Sequence, residues 1–294
     1  MDRRIFLGAM AGTMAATMVD GRSAFAEGSH RLDRIGVQLY TVRDAMKTDF
    51  AGTLAQVAKI GYNEVEFAGY FDHTPKEVRA ILDQNHLQAP SAHVDFALLG
   101  ADWEKTLDAA HIVGHKILVC PWIPDEIRNA PGGWQQAADT LNHAGEISHK
   151  AGIQLAYHNH NFEFHEVNGK KPYDTLLAKT DAALVKMEID LFWMILAGSD
   201  PVAYMEKNPG RVVCLHVKDM VRGYGKKEDE QSALDAAHME KVMVDVGSGG
   251  INFGRIFEVA RRTGVKHYFV EHDNPKVPLE SLRNSWRYLN DLRF

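Results

Sequence analysis

Cysteine is scarce: two residues in 294, Cys120 and Cys214, without CxxC spacing. That excludes a disulfide-stapled fold and a cysteine zinc site. Both lie inside strand-like runs and are expected as buried thiols. A basic excess is also missing. With 33 Lys and Arg against 39 Asp and Glu, the formal net charge of −6 speaks against a sequence-independent grip on nucleic acid. No GxGxxG follows the first strand-like run, which removes the usual dinucleotide-binding fold. The apolar stretch Ile5–Val19 is diluted by Gly and Thr and falls short of the roughly 20 residues of a membrane helix.

That stretch has the form of an address. Arg3-Arg4 and Phe6-Leu7 precede it, and Ala24-Phe25-Ala26 offers a small-residue cleavage site after it. Residues 1–26 are therefore expected to be a twin-arginine-type signal peptide, directing residues 27–294 to the periplasm with no membrane attachment after cleavage.

Beyond it, short β-rich runs alternate with amphipathic helical stretches eight times. The predicted strands are Ile35–Tyr40, Glu64–Phe67, Gln88–Val94, Lys116–Pro121, Ile153–His158, Val185–Asp190, Val212–Lys218 and Lys266–Glu271. Helical segments run from Asp49–Ile60 to Phe253–Thr263, and Leu279–Leu292 closes the chain. Glycine ends several of them, as in Ile60-Gly61, Ala151-Gly152 and Thr263-Gly264. Eight such units in one chain of this length predict an α/β fold, a single (β/α)8 TIM barrel. The long segment Met220–Asn252 is an enlarged loop after the seventh strand, with a charged middle at Arg222–Glu230.

Barrel enzymes carry their chemistry where the strands end. Here those ends are polar and paired at i and i+2, so both side chains of a pair point the same way. The pairs are Glu64/Glu66, His93/Asp95, His158/His160, Glu188/Asp190, His216/Lys218 and Glu271/Asp273. His158, Asp190, His216 and Glu271 come from four consecutive strands. Two imidazoles and two carboxylates suit one borderline divalent ion, Mn, Co, Zn or Fe, with Mg a weaker fit. Glu188 is expected behind Asp190, with Asp219 and Asp273 orienting the ligand imidazoles. Glu271 is the first candidate base and His160 the second. Lys218 is placed either at a developing oxyanion or in an ion pair. Glu66 and His93 are expected to reach substrate hydroxyls. Tyr40, Phe192 and Trp193 offer an aromatic platform, whereas Trp122 and Trp134 are expected to pack. The turn Gly247–Gly250 reads either as a phosphate cradle or, preferably, as a tight turn closing a hairpin from Lys241–Val246.

Gln38-Leu39-Tyr40, Val65-Glu66-Phe67, the run YHNHNFEF at 157–164, Glu188-Ile189-Asp190, LHVKD at 215–219 and VEHD at 270–273 together resemble the sugar phosphate isomerase/epimerase family of xylose-isomerase-like barrels. The resemblance spans Arg34 to Phe294. It implies a divalent metal, often manganese, and isomerisation or epimerisation of a carbohydrate by α-proton abstraction and a metal-stabilised enediolate. One position departs from that pattern. Ketose epimerases of the superfamily carry a glutamate on strand five where this chain has His158, and Glu163 lies past the strand end. A two-carboxylate proton exchange is thereby in doubt, and the YHNH run is also similar to proteins of 3-keto-glycoside breakdown. A 3-keto-glycoside lyase, a metal-dependent endonuclease and a non-catalytic periplasmic sugar binder stand as alternatives. Homo-oligomerisation is left open.

Overall fold

The computed structural model describes residues 30–224 and 241–294. The signal-peptide reading at 1–26 and most of the charged middle of the loop, from 225 on, lie outside the described residues.

Strands β1 (Gly36–Gln38), β2 (Glu64–Phe67), β3 (Gln88–His93), β4 (Ile117–Cys120), β5 (Gln154–His158), β6 (Val185–Asp190) and β7 (Val212–Val217) pair in parallel. A two-residue antiparallel pair, β8 (Asp219–Met220) with β9 (Met243–Val244), rides on the loop that follows. Strand β10 (His267–Val270) then pairs with β7 and β1 and closes the eight-stranded barrel. The fold is the single (β/α)8 barrel that the alternation predicts. The expected hairpin takes its second strand from Asp219–Met220 rather than from the Lys241–Val246 segment itself.

Period-two patterning sorts the side chains of each strand. Val37, Val65, Leu118, Leu155, Met187, Leu215 and Val270 face outward into the core shared with the helices. Inward, Ile117, Val119, Ala156, Cys214 and Phe269 form an apolar floor to the barrel. Gly36 is needed at that level, because a Cβ there would lie 2.5 Å from the Phe269 ring. Cys120 and Cys214 are buried free thiols, as expected.

The helices are set by local signals. Pro75–Gln84 starts from Thr74, which forms a reciprocal capping box with Glu77, and Pro75 occupies the first turn where no N–H is missed. Its Val78 and Leu82 are fully buried, each contributing about 1.5–3 kcal/mol of transfer free energy, while Thr74→Ala would cost about 1 kcal/mol. One helix that periodicity did not single out, Leu191–Leu196, follows β6 without a loop. Asp190 starts it by accepting the Trp193 N–H at Oδ1, 2.9 Å away. Among the described residues no helix is long and apolar enough to cross a membrane.

Candidate active site and metal centre

Two tiers of polar side chains stand above the apolar floor. In the upper tier, Lys218 Nζ lies 2.9 Å from Asp190 Oδ2, 2.8 Å from Glu271 Oε2 and 2.6 Å from Asp273 Oδ1. Burial opposes the ammonium, but these three carboxylates hold its pKa well above the usual lysine range. His216 Nδ1 approaches Glu271 Oε2 at 2.7 Å and Asp190 Oδ2 at 3.9 Å. Asp190 Oδ2 and His216 Nδ1 are both fully buried and meet polar groups through ion pairs. Burial lifts the Asp190 carboxyl to about 6 despite the nearby Lys218.

The lower tier is built around two carboxylates. Glu66 Oε2 meets His216 Nε2 at 2.6 Å and accepts the Gln38 amide at 2.8 Å, while Ser91 donates to its Oε1. Glu188 Oε2 is approached by His93 Nε2 at 3.0 Å, His216 Nε2 at 3.1 Å and His158 Nδ1 at 3.2 Å. Burial alone would raise both carboxyls. The neighbouring imidazoles instead bring Glu188 to about 2 and hold Glu66 well below the carboxylate range. Burial likewise opposes a charged His93, but Glu66 and Glu188 lift it to about 9.

Asp190, His216 and Glu271 fit a divalent ion. Their donor atoms all lie within 4.8 Å of one another and are buried, and three protein donors leave coordination positions for substrate. The set of one imidazole and two carboxylates suits Mn, Zn or Fe alike. A cavity of about 860 Å³ opens over these groups, with Lys218, Glu271, Asp273, His158, His160 and His93 on one side. Tyr40, Tyr70, Leu98, Lys105 and Trp122 line the other.

A sequence profile of the xylose isomerase-like TIM barrel matches residues 54–292. The chain belongs to that family. The inosose dehydratase of Lacticaseibacillus casei is 24% identical over 266 residues, covering 82% of this chain and 89% of that protein. A sugar phosphate isomerase/epimerase from Parabacteroides distasonis superposes with a TM-score of 0.72 at 25% identity, over 88% of this chain and 98% of that one. The 3-keto-D-glucoside 4-epimerase of E. coli shares the fold at a TM-score of 0.60 and 15% identity, over 88% and 99% of the two chains. The dehydratase and the isomerase/epimerase mark this family as one of sugar-processing enzymes.

Of the four ligands expected from sequence, this xylose isomerase-like barrel brings Asp190, His216 and Glu271 together. His158 clusters instead with His93, Glu188 and His216, its Nε2 standing 3.9 Å from Asp190 Oδ2. Glu66 and His93 part company. His93 lines the cavity, whereas Glu66 is fully buried against His216 and is not part of the cavity wall. The imidazoles are oriented by Glu66 and Glu188, not by Asp219 and Asp273 as expected. Asp273 is drawn to Lys218, and Asp219 is consumed by backbone N–H groups.

His160 keeps its place on the cavity wall. Burial, aided by the Lys218 charge, lowers its pKa to about 3, and its Nδ1 makes no hydrogen bond. Glu163 is turned away: fully buried, it accepts from the Tyr157 hydroxyl at 2.5 Å and the His160 N–H at 2.9 Å. The aromatic platform also changes membership. Tyr40 is on the cavity wall, but Phe192 is fully buried and packs against Met220 and Met243. Trp193 touches the site from behind, 5.7 Å from the His160 ring and 5.9 Å from Lys218 Nζ. Trp122, expected to pack, is 43% exposed on the cavity wall with its edge to His160. Its signal was its place directly after Pro121, at the end of the fourth strand. Trp134 packs on the core as expected.

Proposed function

We propose that the protein is a divalent-metal-dependent lyase of keto sugars, exported to the periplasm, with manganese as the resident ion. The observation that carries this reading is the strand-five position. His158 stands there, and Glu163, the carboxylate nearest that strand end in sequence, is fully buried and engaged by the Tyr157 hydroxyl and the His160 N–H. A two-carboxylate epimerase needs a carboxylate there; an elimination needs one base and one path for the departing oxygen. The similarity to inosose dehydratase supports the same choice.

When bound, the ion supplies Lewis acidity at the sugar carbonyl and so acidifies the adjacent C–H. Asp190, His216 and Glu271 would hold it, while Glu66 and Glu188 fix the His216 ring from behind. His160 lines the cavity with its Nδ1 unpartnered and is placed to take the α-proton, as a weaker base than a free imidazole because of burial and the Lys218 charge. Glu271 is less free, being held by Lys218 and His216. Lys218 Nζ donates to the oxyanion as it develops. The C–H electron pair then forms the C=C bond, the C–O bond at the β-carbon breaks, and the proton held by His160 leaves with that oxygen as water or an alcohol.

Isomerisation or epimerisation shares the first step, and the 25% identity with an isomerase/epimerase favours it as the second reading. Incubating metal-loaded enzyme with keto sugars and keto glycosides in D2O separates the two by proton NMR. Loss of water or alcohol with a new vinylic signal supports the lyase. Deuterium incorporated at one carbon without elimination supports the isomerase or epimerase. Sugar binding with neither change would overturn both.

A further inference from the structure

The loop after the seventh barrel strand is where this architecture often grips a phosphate, using glycine-rich backbone N–H groups and the start of the next helix. This chain has both parts, the turn Gly247–Ile251 and the helix Phe253–Thr263. Both are already occupied from within. Asp219, 1% exposed, accepts the Gly247 and Gly249 N–H groups at Oδ2, each at 2.9 Å. Its Oδ1 accepts Met220 N–H at 2.8 Å and Ile251 N–H at 3.1 Å. The helix start is capped by Asn252, whose side chain accepts the Arg255 N–H at 3.1 Å. Glycine is required at 249 for this approach, since a Cβ there would lie 2.3 Å from Asp219 Oδ1. The carboxylate thus sits where a phosphate would sit, on donors of the kind a phosphate would use.

Neither Asp219 nor residues 247–251 line the cavity of about 860 Å³, and the cavity's own charges offer a phosphate no substitute. Among the described residues lining the cavity, the positive side chains are Lys105, Lys218 and His93, the last held by Glu66 and Glu188, against Asp95, Asp102, Glu271 and Asp273. Lys218 is already surrounded by three carboxylates. Nearby Arg43 donates to the carbonyls of Tyr40 and Asp273, and Arg128 is paired with Asp125. A dianionic group would meet more negative than positive charge on entry.

We infer that the substrate carries no phosphate: Asp219 is a built-in anion that closes the phosphate turn and restricts the enzyme to uncharged sugars or glycosides. This rests on the keto-sugar reading above for the word substrate, but the closed turn stands independently of it. The test uses inorganic phosphate as probe and the whole chain. Amide signals of Gly247 and Gly249 are followed by NMR during a phosphate titration, and the Tm is measured with and without phosphate. In the parent neither should move. In Asp219→Gly, which frees four N–H groups, phosphate should raise the Tm, a response that a merely structural Asp219 would not produce. Where that variant does not fold, the parent titration decides alone. An active keto sugar should also exceed its terminal phosphate ester by at least about 100-fold in kcat/KM. Saturable shifts of the two glycine amides in the parent, or equal turnover of the ester, would overturn the inference. Failure of every sugar to react would instead count against the proposed function, leaving the amide titration to judge the turn.

Discussion

Three carboxylates close around one ammonium in the upper tier, and that ammonium keeps its charge throughout the working pH range. Two carboxylates share three imidazoles in the lower tier, where the balancing charge is free to titrate. The upper arrangement holds the groups that would meet the metal and the substrate. The lower one holds the back of His216 and shows no face of Glu66 or Glu188 to the cavity. Chemistry and support are thus stacked, with His216 passing through both: its Nδ1 belongs to the upper tier and its Nε2 to the lower.

If the tiers differ in this way, removing groups from each should give separable effects. His216→Ala belongs to both and should be the most damaging. It should abolish tight binding of a divalent ion, read by metal content after dialysis, and lower kcat by about 10^4-fold. A variant that kept one ion per chain would contradict the assignment. Next comes Lys218→Met, which leaves buried Asp190 and Glu271 and the partly buried Asp273 without their cation. The metal-free variant should lose about 3–5 kcal/mol in urea unfolding, and a saturating divalent ion should restore part of it. No loss in the metal-free variant would mean that the ammonium is not what holds the upper tier.

The pH dependence distinguishes the tiers directly. His93 has its ordinary value of 6.5 when unfolded and about 9 in the fold. Its contribution is therefore complete below pH 6.5 and lost as the pH rises from 6.5 through 9. Metal-free protein should lose on the order of 2 kcal/mol across that window, and Glu66→Gln should flatten the slope. Lys218 is raised above the lysine range and stays charged there, so a slope that survives Glu66→Gln would remove the distinction. The smallest effect is expected at the cavity wall. Trp122→Ala should raise KM by about three- to tenfold with kcat little changed, as the loss of an aromatic face against a sugar ring would do.

Most of the architecture was legible in the sequence because alternation is a local property. The strand boundaries at Glu64–Phe67 and Val185–Asp190 agree to the residue, and the helix at Phe253–Thr263 does too. Spacing of i and i+2 also showed correctly that Glu188/Asp190 and His216/Lys218 point inward. It gave depth within one strand, setting Glu188 behind Asp190, but not between strands. Which inward residues meet is decided by the stagger of a closed barrel, and that stagger sets Glu66 against His216 across 150 residues of sequence. Hence Glu66 looked like a substrate contact, and Asp273 and Asp219 looked like imidazole partners. Trp122 was misread for a different reason: composition does not show which side of a loop a tryptophan lies on. The helix Leu191–Leu196 was missed because six apolar-rich residues after a strand carry too little periodicity to register.

Gly36 has a consequence that reaches well beyond its strand. The Phe269 ring packs close against Gly36, where β1 offers no side chain, and stands edge to face with His216, 6.4 Å between centroids. The height of the catalytic floor is therefore set from below, by the smallest residue in the barrel's shortest parallel strand. A methyl group at position 36 would lift that floor toward His216 and tilt the ring on which both tiers depend. A substitution on the far side of the barrel from the cavity mouth would then register as a change in metal affinity.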